Sequence, residues 1–230
     1  MLFRSTTQLD EDRDGILAGL RSAFAGARDI DLSLIYITCH GYYAEGMTCF
    51  QLVDGSVLTA PELERELRRI PGELLILIDC CGSGGVIGRY SDTSDILAGI
   101  GAVFGGQAGA APMAMSRYRV LASAALEQDS YRISFTRAGG AAEMDTVFAR
   151  ALCEAGGWDV DHGARSAMRA DLNYDGEVSM SELYGYLTRR AIWLLGRADA
   201  LSAGSGIQLQ TVKLWPETDG GLVFARTSGD

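Results

Sequence analysis

Leu74-Leu75-Ile76-Leu77-Ile78-Asp79-Cys80-Cys81-Gly82-Ser83-Gly84-Gly85 is an unbroken apolar run that stops at an acid and two thiols. A strand that is apolar at every position must be covered on both faces, as in a parallel sheet flanked by helices. In such sheets reactive groups gather at the carboxyl edge, where strands give way to loops. Two cysteines at that edge point to chemistry rather than packing.

A second segment has the same shape. Leu32-Ser33-Leu34-Ile35-Tyr36-Ile37-Thr38 is apolar and β-rich, and it ends in Cys39-His40-Gly41. The chain has only two histidines, and His40 is one of them. An imidazole near a thiol stabilises thiolate or protonates a leaving group, so Cys plus His is the minimal pair for thiol nucleophilic catalysis. Between the two segments, Thr59-Ala60-Pro61-Glu62 is a capping box that opens a helix to Ile70, and Pro71-Gly72 ends it. Strand, helix, strand is a right-handed parallel unit.

The remaining segments fit around that unit. Leu9 to Ala27 has Ile16, Leu17, Leu20 and Phe24 at helical spacing. Cys49–Leu52 and Ser56–Leu58 flank Asp54-Gly55 as a small hairpin. Tyr118–Ala124 reads as a third sheet strand. Glu143–Glu154 reads as a helix, with Met144, Val147, Phe148, Ala151 and Leu152 turned to the core. The Gly/Ala/Ser-rich stretch from Gly82 to Arg117 has no persistent periodicity. It is either a surface loop or a region that closes over a substrate or is cut during activation. The expected class is therefore α/β, a mostly parallel sheet in a three-layer α/β/α arrangement. Residues 1–230 are expected to form a single domain.

Composition narrows the function. There are 30 acidic residues against 20 basic ones, a net charge of -10, which disfavours nucleic acid and anionic membranes and favours cations and basic substrates. No apolar run reaches transmembrane length and no signal peptide is evident. Five cysteines, at 39, 49, 80, 81 and 153, lack a disulfide-scaffold spacing and suit a reducing compartment. A cytoplasmic location is the expectation; the oligomeric state is left open.

Residues Asp171-Leu172-Asn173-Tyr174-Asp175-Gly176-Glu177-Val178-Ser179-Met180-Ser181-Glu182 satisfy the calcium-loop pattern of an EF-hand. Asp171, Asn173, Asp175, Glu177 and Glu182 fall at the ligand positions, Gly176 supplies the sharp turn, and Val178 packs inward. The expected cofactor is Ca2+. The alternative is a degenerate loop whose Asp and Gly residues make only a turn and a helix cap.

The two strand ends together resemble the caspase-like cysteine peptidases: caspases, metacaspases, and the clostripain and gingipain relatives. Their shared signature is an apolar strand ending in His-Gly and a second ending in Asp/Glu/Gln-x-Cys. Here these are Thr38-Cys39-His40-Gly41 and Asp79-Cys80-Cys81-Gly82-Ser83-Gly84, with Gly82 where metacaspases carry His. Asp171–Glu182 followed by Leu183-Tyr184-Gly185-Tyr186, and the closing Gln210–Pro216, are also similar to bacterial members. Family members begin with a further strand and helix before the equivalent of Leu9. The sheet is therefore expected to lack that first strand, or the chain to be a fragment.

The resemblance implies Cys81 as nucleophile, His40 as its catalytic partner, and the N–H groups of Gly41 and Cys81 as oxyanion hole. Strand alternation agrees on the cysteine, because Asp79 and Cys81 project to one side and Cys80 to the other. In the metacaspase and clostripain relatives the acid two residues before the nucleophile selects Arg or Lys, which assigns Asp79 to substrate binding. A buried carboxylate without a cationic partner would favour such a side chain. The alternative is that Asp79 only caps the following turn. His162-Gly163 follows a polar loop and reads as surface. The expected activity is a cysteine endopeptidase cleaving protein or peptide substrates after Arg or Lys, with Arg89, Arg117 and Arg119 as candidate self-cleavage points. The rival is an inactive calcium-binding interaction module.

Overall fold

The computed structural model of the protein describes residues 6–7, 10–81, 117–125, 128–136, 139–140, 142–201, 207–216 and 222–227. Four strands form the central sheet: β1 (Leu32–Thr38), β5 (Glu73–Asp79), β6 (Tyr118–Ala122) and β12 (Lys213–Trp215), in the order β1-β5-β6-β12. β1, β5 and β6 run parallel, and β12 is antiparallel to β6. The apolar run sits at the centre, as its composition requires. Leu74, Ile76, Ile78 and Cys80 face one apolar layer, while Leu75 and Leu77 face another.

The first layer is closed by α1 (Arg13–Ala23) and α2 (Ala60–Leu67), through Leu17, Leu63 and Leu67. Asp12 caps α1 by accepting from the Gly15 N–H, and the Thr59/Glu62 capping box starts α2. The second layer is closed by α3 (Val147–Ala155) and α4 (Met180–Leu201), through Phe148, Ala151, Leu183 and Leu187. Burial of each β5 leucine or isoleucine contributes about 1.5–3 kcal/mol, so this strand anchors both layers.

β1 is an edge strand. Ser33 and Ile35 turn into the first layer, whereas Leu32, Leu34 and Tyr36 are exposed on the other face. Among the described residues no strand pairs with its outer side. A three-stranded antiparallel unit follows, made of β2 (His40–Ala44), β3 (Met47–Gln51) and β4 (Val57–Thr59). The small hairpin is therefore one strand larger than expected, because the chain from His40 onward is itself extended.

One expected helix begins later than its spacing suggests. Residues from Glu143 to Thr146 belong to β8 (Ala142–Thr146), paired antiparallel with β7 (Arg132–Thr136), and α3 starts only at Val147. Met144 is exposed on this hairpin rather than in the helical core. Cross-strand pairing overrides the local helical spacing, and Thr146 is the α3 N-cap. Among the remaining described residues are two smaller strand pairs: β9 (Trp158–Asp159) with β10 (Ala164–Arg165), and β11 (Glu177–Ser179) with β13 (Val223–Arg226). Among the described residues no helix is long and apolar enough to cross a membrane.

Candidate functional site

Thr38 and Asp79 are register partners at the ends of β1 and β5. Cys39-His40-Gly41 and Cys80-Cys81 therefore leave the sheet side by side, at its carboxyl edge. Cys80 is buried in the α1/α2 layer, and Cys39 packs against the same layer. Cys81 is half-buried in the turn after β5, and His40 is exposed at the start of β2. Among the described residues their side chains are not hydrogen-bonded to each other. Gly41 brings the two strand ends into contact. A Cβ there would meet the Cys81 carbonyl oxygen at 2.5 Å and Cys80 Sγ at 2.7 Å, so only glycine permits this approach.

Asp79 points the other way from Cys80, as alternation requires, and is 2% exposed. Its partners are three hydroxyls. Ser130 donates to Oδ1 at 2.7 Å, Tyr36 donates to Oδ2 at 2.7 Å, and Thr146 also donates to Oδ2. Thr146 meanwhile accepts the Ala149 N–H as the N-cap of α3, so one hydroxyl serves both the helix start and the carboxyl group. Burial and the adjacent carboxylate push the Tyr36 phenol well above its ordinary range. Gln210 holds Ser130 from behind, donating to it at 3.4 Å and to the Ser123 carbonyl at 2.9 Å, and accepting the Tyr131 N–H at 3.0 Å.

No arginine or lysine is among these hydrogen-bonding partners of Asp79. A carboxylate has about four acceptor positions, and the described residues fill three of them, one on Oδ1 and two on Oδ2. Among the described residues the donors to the buried Asp79 carboxyl group are side-chain hydroxyls rather than N–H groups of the turn after β5. The sequence reading did not find Tyr36, Ser130, Thr146 or Gln210. Thr146 carried a usable signal, a Thr three residues before a free N–H, but it was obscured by starting the helix at Glu143.

Among solved structures the chain is similar to caspase-1 from Spodoptera frugiperda, with a TM-score of 0.52 and 16% sequence identity, over 92% of this chain and 70% of that one. The fold is caspase-like. A protein from Geobacter sulfurreducens is also similar, with a TM-score of 0.45 and 16% identity, over 77% of this chain and 68% of that one. No family profile and no curated protein matches the chain.

Of the candidate self-cleavage points, Arg119 lies in the central sheet and Arg117 immediately precedes its strand β6. The Arg117 guanidinium donates to the carbonyls of Leu67 at 2.7 Å and Gly72 at 3.1 Å, and to that of Ile70, closing the end of α2. Arg119 lies in β6 opposite Leu75. Cutting after either would require unzipping a central strand, so neither is a surface cleavage point. Arg89, like Gly82, Ser83 and Gly84, lies outside the described residues. His162 is exposed and pairs with Asp159 at 3.0 Å, in keeping with a surface role.

The Asp171–Glu182 segment forms a tight loop leading into α4. Gly176 has φ +84°, and its N–H donates to Asp171 Oδ2 at 3.1 Å. Asn173 Oδ1 accepts the Asp175 N–H, and Asp175 Oδ1 accepts the Glu177 N–H, both at 2.9 Å. Asp171 Oδ1 is buried without a hydrogen-bond partner. Glu182 accepts the Ser179 N–H at 3.0 Å and the Leu172 N–H at 3.3 Å, and these bonds hold its carboxyl below the usual range. Ser179 and Glu182 thus form a capping box at the start of α4. Among the described residues no group of three His, Cys, Asp or Glu side chains is gathered as a metal site. The oxygen-only donor set and the orphaned Asp171 Oδ1 nevertheless fit a hard cation.

Proposed function

We propose that this protein is a cysteine endopeptidase that cleaves after Arg or Lys, of the kind seen in metacaspases and clostripain. The observation that carries the reading is the carboxyl edge, where Gly41 lies against Cys81 and the buried Asp79 two residues earlier has, among the described residues, only hydroxyls as hydrogen-bond partners. Thiolate Cys81 attacks the carbonyl carbon that follows the basic residue. The N–H groups of Gly41 and Cys81 hold the developing oxyanion. His40 protonates the leaving amine, and the carbon–nitrogen bond breaks to leave a thioester. Water then hydrolyses the thioester and returns the thiol. Asp79 offers the basic side chain its remaining acceptor position. Such a cation would meet a buried carboxyl group whose donors among the described residues are all neutral hydroxyls.

Asp171, Asn173 and Asp175, the Glu177 carbonyl and Glu182 would hold calcium. Bound there, the ion would crosslink the loop to the first turn of α4. That helix packs on α3, whose N-cap Thr146 holds Asp79, so the loop has a mechanical route to the specificity pocket.

The test is a panel of reporter peptides ending in Arg, Lys, Asp and Asn, with calcium and with chelator. Cys81→Ala should abolish cleavage after Arg and Lys, while Cys80→Ala retains most of it. Persistent cleavage by Cys81→Ala would remove the assignment. The exposed Leu32, Leu34 and Tyr36 on the open edge of β1 favour a second reading, a calcium-binding interaction module without turnover. Calcium binding by calorimetry, with no reaction of Cys81 toward a peptidyl electrophile, would select the module.

A further inference from the structure

The geometry points to a second thiol site beside the proposed nucleophile: Cys39 and Cys80 form a two-electron redox couple that a peroxide converts to a disulfide. The pair follows directly from register. Thr38 lies opposite Asp79 as the last register pair of β1 and β5, and Cys39 and Cys80 are the residues that immediately follow it on the two chains. They also share a face. Ser33 and Ile35 on β1, and Leu74, Ile76 and Ile78 on β5, turn toward the α1/α2 side, and continuing each alternation places Cys39 and Cys80 there too. Neighbouring strands lie about 4.8 Å apart. Disulfides span Cα separations of about 4.4–6.8 Å, so the bond needs little backbone movement.

Electrostatics assigns the two thiols different roles. Hydrogen bonding from the Cys80 thiol draws Cys39 below the ordinary thiol range, and the same contact, with burial, raises Cys80. Cys39 is also the more accessible of the two. In the reaction, Cys39 thiolate attacks one peroxide oxygen, the O–O bond breaks, and the departing hydroxide takes up a proton to leave as water. Cys80 sulfur then attacks the sulfenic sulfur of Cys39. The S–O bond breaks, the S–S bond forms, and the Cys80 proton leaves with that hydroxide as a second water. The sulfur pair loses two electrons and the peroxide gains them.

The consequence for catalysis rests on the proposed role of Cys81. Gly41 is wedged against Cys80 Sγ and the Cys81 carbonyl, with no space for a methyl group. Drawing Cys80 Sγ toward Cys39 moves the atom on which Gly41 rests. The Gly41 N–H is one of the two proposed oxyanion donors, so oxidation lowers turnover and a thiol reductant restores it.

The decisive measurement does not depend on turnover. Cys81→Ala protein is treated with hydrogen peroxide, free thiols are alkylated, and the chain is cut after Glu and after Arg. Cleavage at Glu45 separates Cys39 from Cys49. The expected result is near-complete loss of both thiols and a peptide pair joined through Cys39 and Cys80, abolished by reductant and absent in Cys39→Ser. Oxidation of Cys39 to sulfinic or sulfonic acid without the linked pair overturns the proposal, as does linkage only through Cys49 or Cys153. A linked pair here, alongside a fully reduced parent protein that cleaves no reporter, would remove the peptidase reading and leave this one standing.

Discussion

Gly41→Ala tests the carboxyl edge most directly, because the contact it would violate is known on both sides. The new Cβ would sit 2.5 Å from the Cys81 carbonyl oxygen and 2.7 Å from Cys80 Sγ. Ordinary contact asks for about 3.5 Å, so the two strand ends must separate by roughly 1 Å. The carbonyl is backbone and cannot rotate away, and Cys80 is packed in the α1/α2 layer, which resists its displacement. Overpacking of this kind costs about 1–3 kcal/mol. Reduced freedom of the unfolded chain returns about 0.4–1 kcal/mol of that. A net loss near 1–2 kcal/mol corresponds to a Tm lower by roughly 2–8 °C in a chain of this size. Cleavage should suffer more: a 1 Å misplacement near reacting groups costs on the order of 100-fold. Gly46→Ala is the control. It lies in the β2–β3 turn at φ +82° with nothing within 4 Å, so it costs backbone strain without touching the site. Thermal melts and reporter cleavage on both variants give the comparison. If Gly41→Ala melts and cleaves like the parent, the close approach of the two strand ends is wrong. If both variants lose cleavage equally, the loss reflects strain and the oxyanion role of Gly41 goes.

The other predictions concern the groups behind the site. Thr146→Val removes a bond to the buried Asp79 carboxylate and the α3 N-cap together, and should cost about 2–4 kcal/mol in urea unfolding. Thr146→Ser should cost far less, and equal losses would mean that the hydroxyl is not the active feature. Asp79→Ala should erase the preference for Arg or Lys reporters; an unchanged preference would place specificity elsewhere. Glu182→Gln should weaken calcium binding measured by calorimetry, and no binding in the parent would reduce the loop to a turn and helix cap. Bonds from the Thr59 N–H and from Arg13 hold Glu62 down to about 2, against an ordinary value of 4.5. Its folded value is depressed, so its stabilisation is present above pH 4.5 and is lost as pH falls through about 2. The stability gap between the parent and Glu62→Gln should therefore close over that window, and a constant gap would show that the charge of Glu62 contributes nothing.

The parts of this fold legible in the sequence were those set by one short stretch at a time. The β5 run announced burial on both faces because nothing polar interrupts it, and Thr59-Ala60-Pro61-Glu62 announced a helix start because a capping box is local chemistry. Cys80 could be assigned inward and Asp79 the opposite way from alternation alone, and the buried Cys80 and the hydroxyl-bound Asp79 agree with it. What surrounds Asp79 was not legible. Tyr36, Ser130 and Thr146 come from β1, the segment before β7, and the end of β8, separated from Asp79 by 43, 51 and 67 residues. Each looks locally like something else: a strand aromatic, a loop serine, a helix cap. Only the folded sheet brings the three hydroxyls onto one carboxylate. The same limit explains the misplaced helix start, since Glu143–Thr146 is helical by spacing and becomes a strand only because β7 lies beside it. A carboxyl group held by such remote donors responds to changes at any of them. Selectivity for basic residues, if Asp79 provides it, should therefore be as sensitive to Thr146 and Ser130 as to the strand that carries the acid.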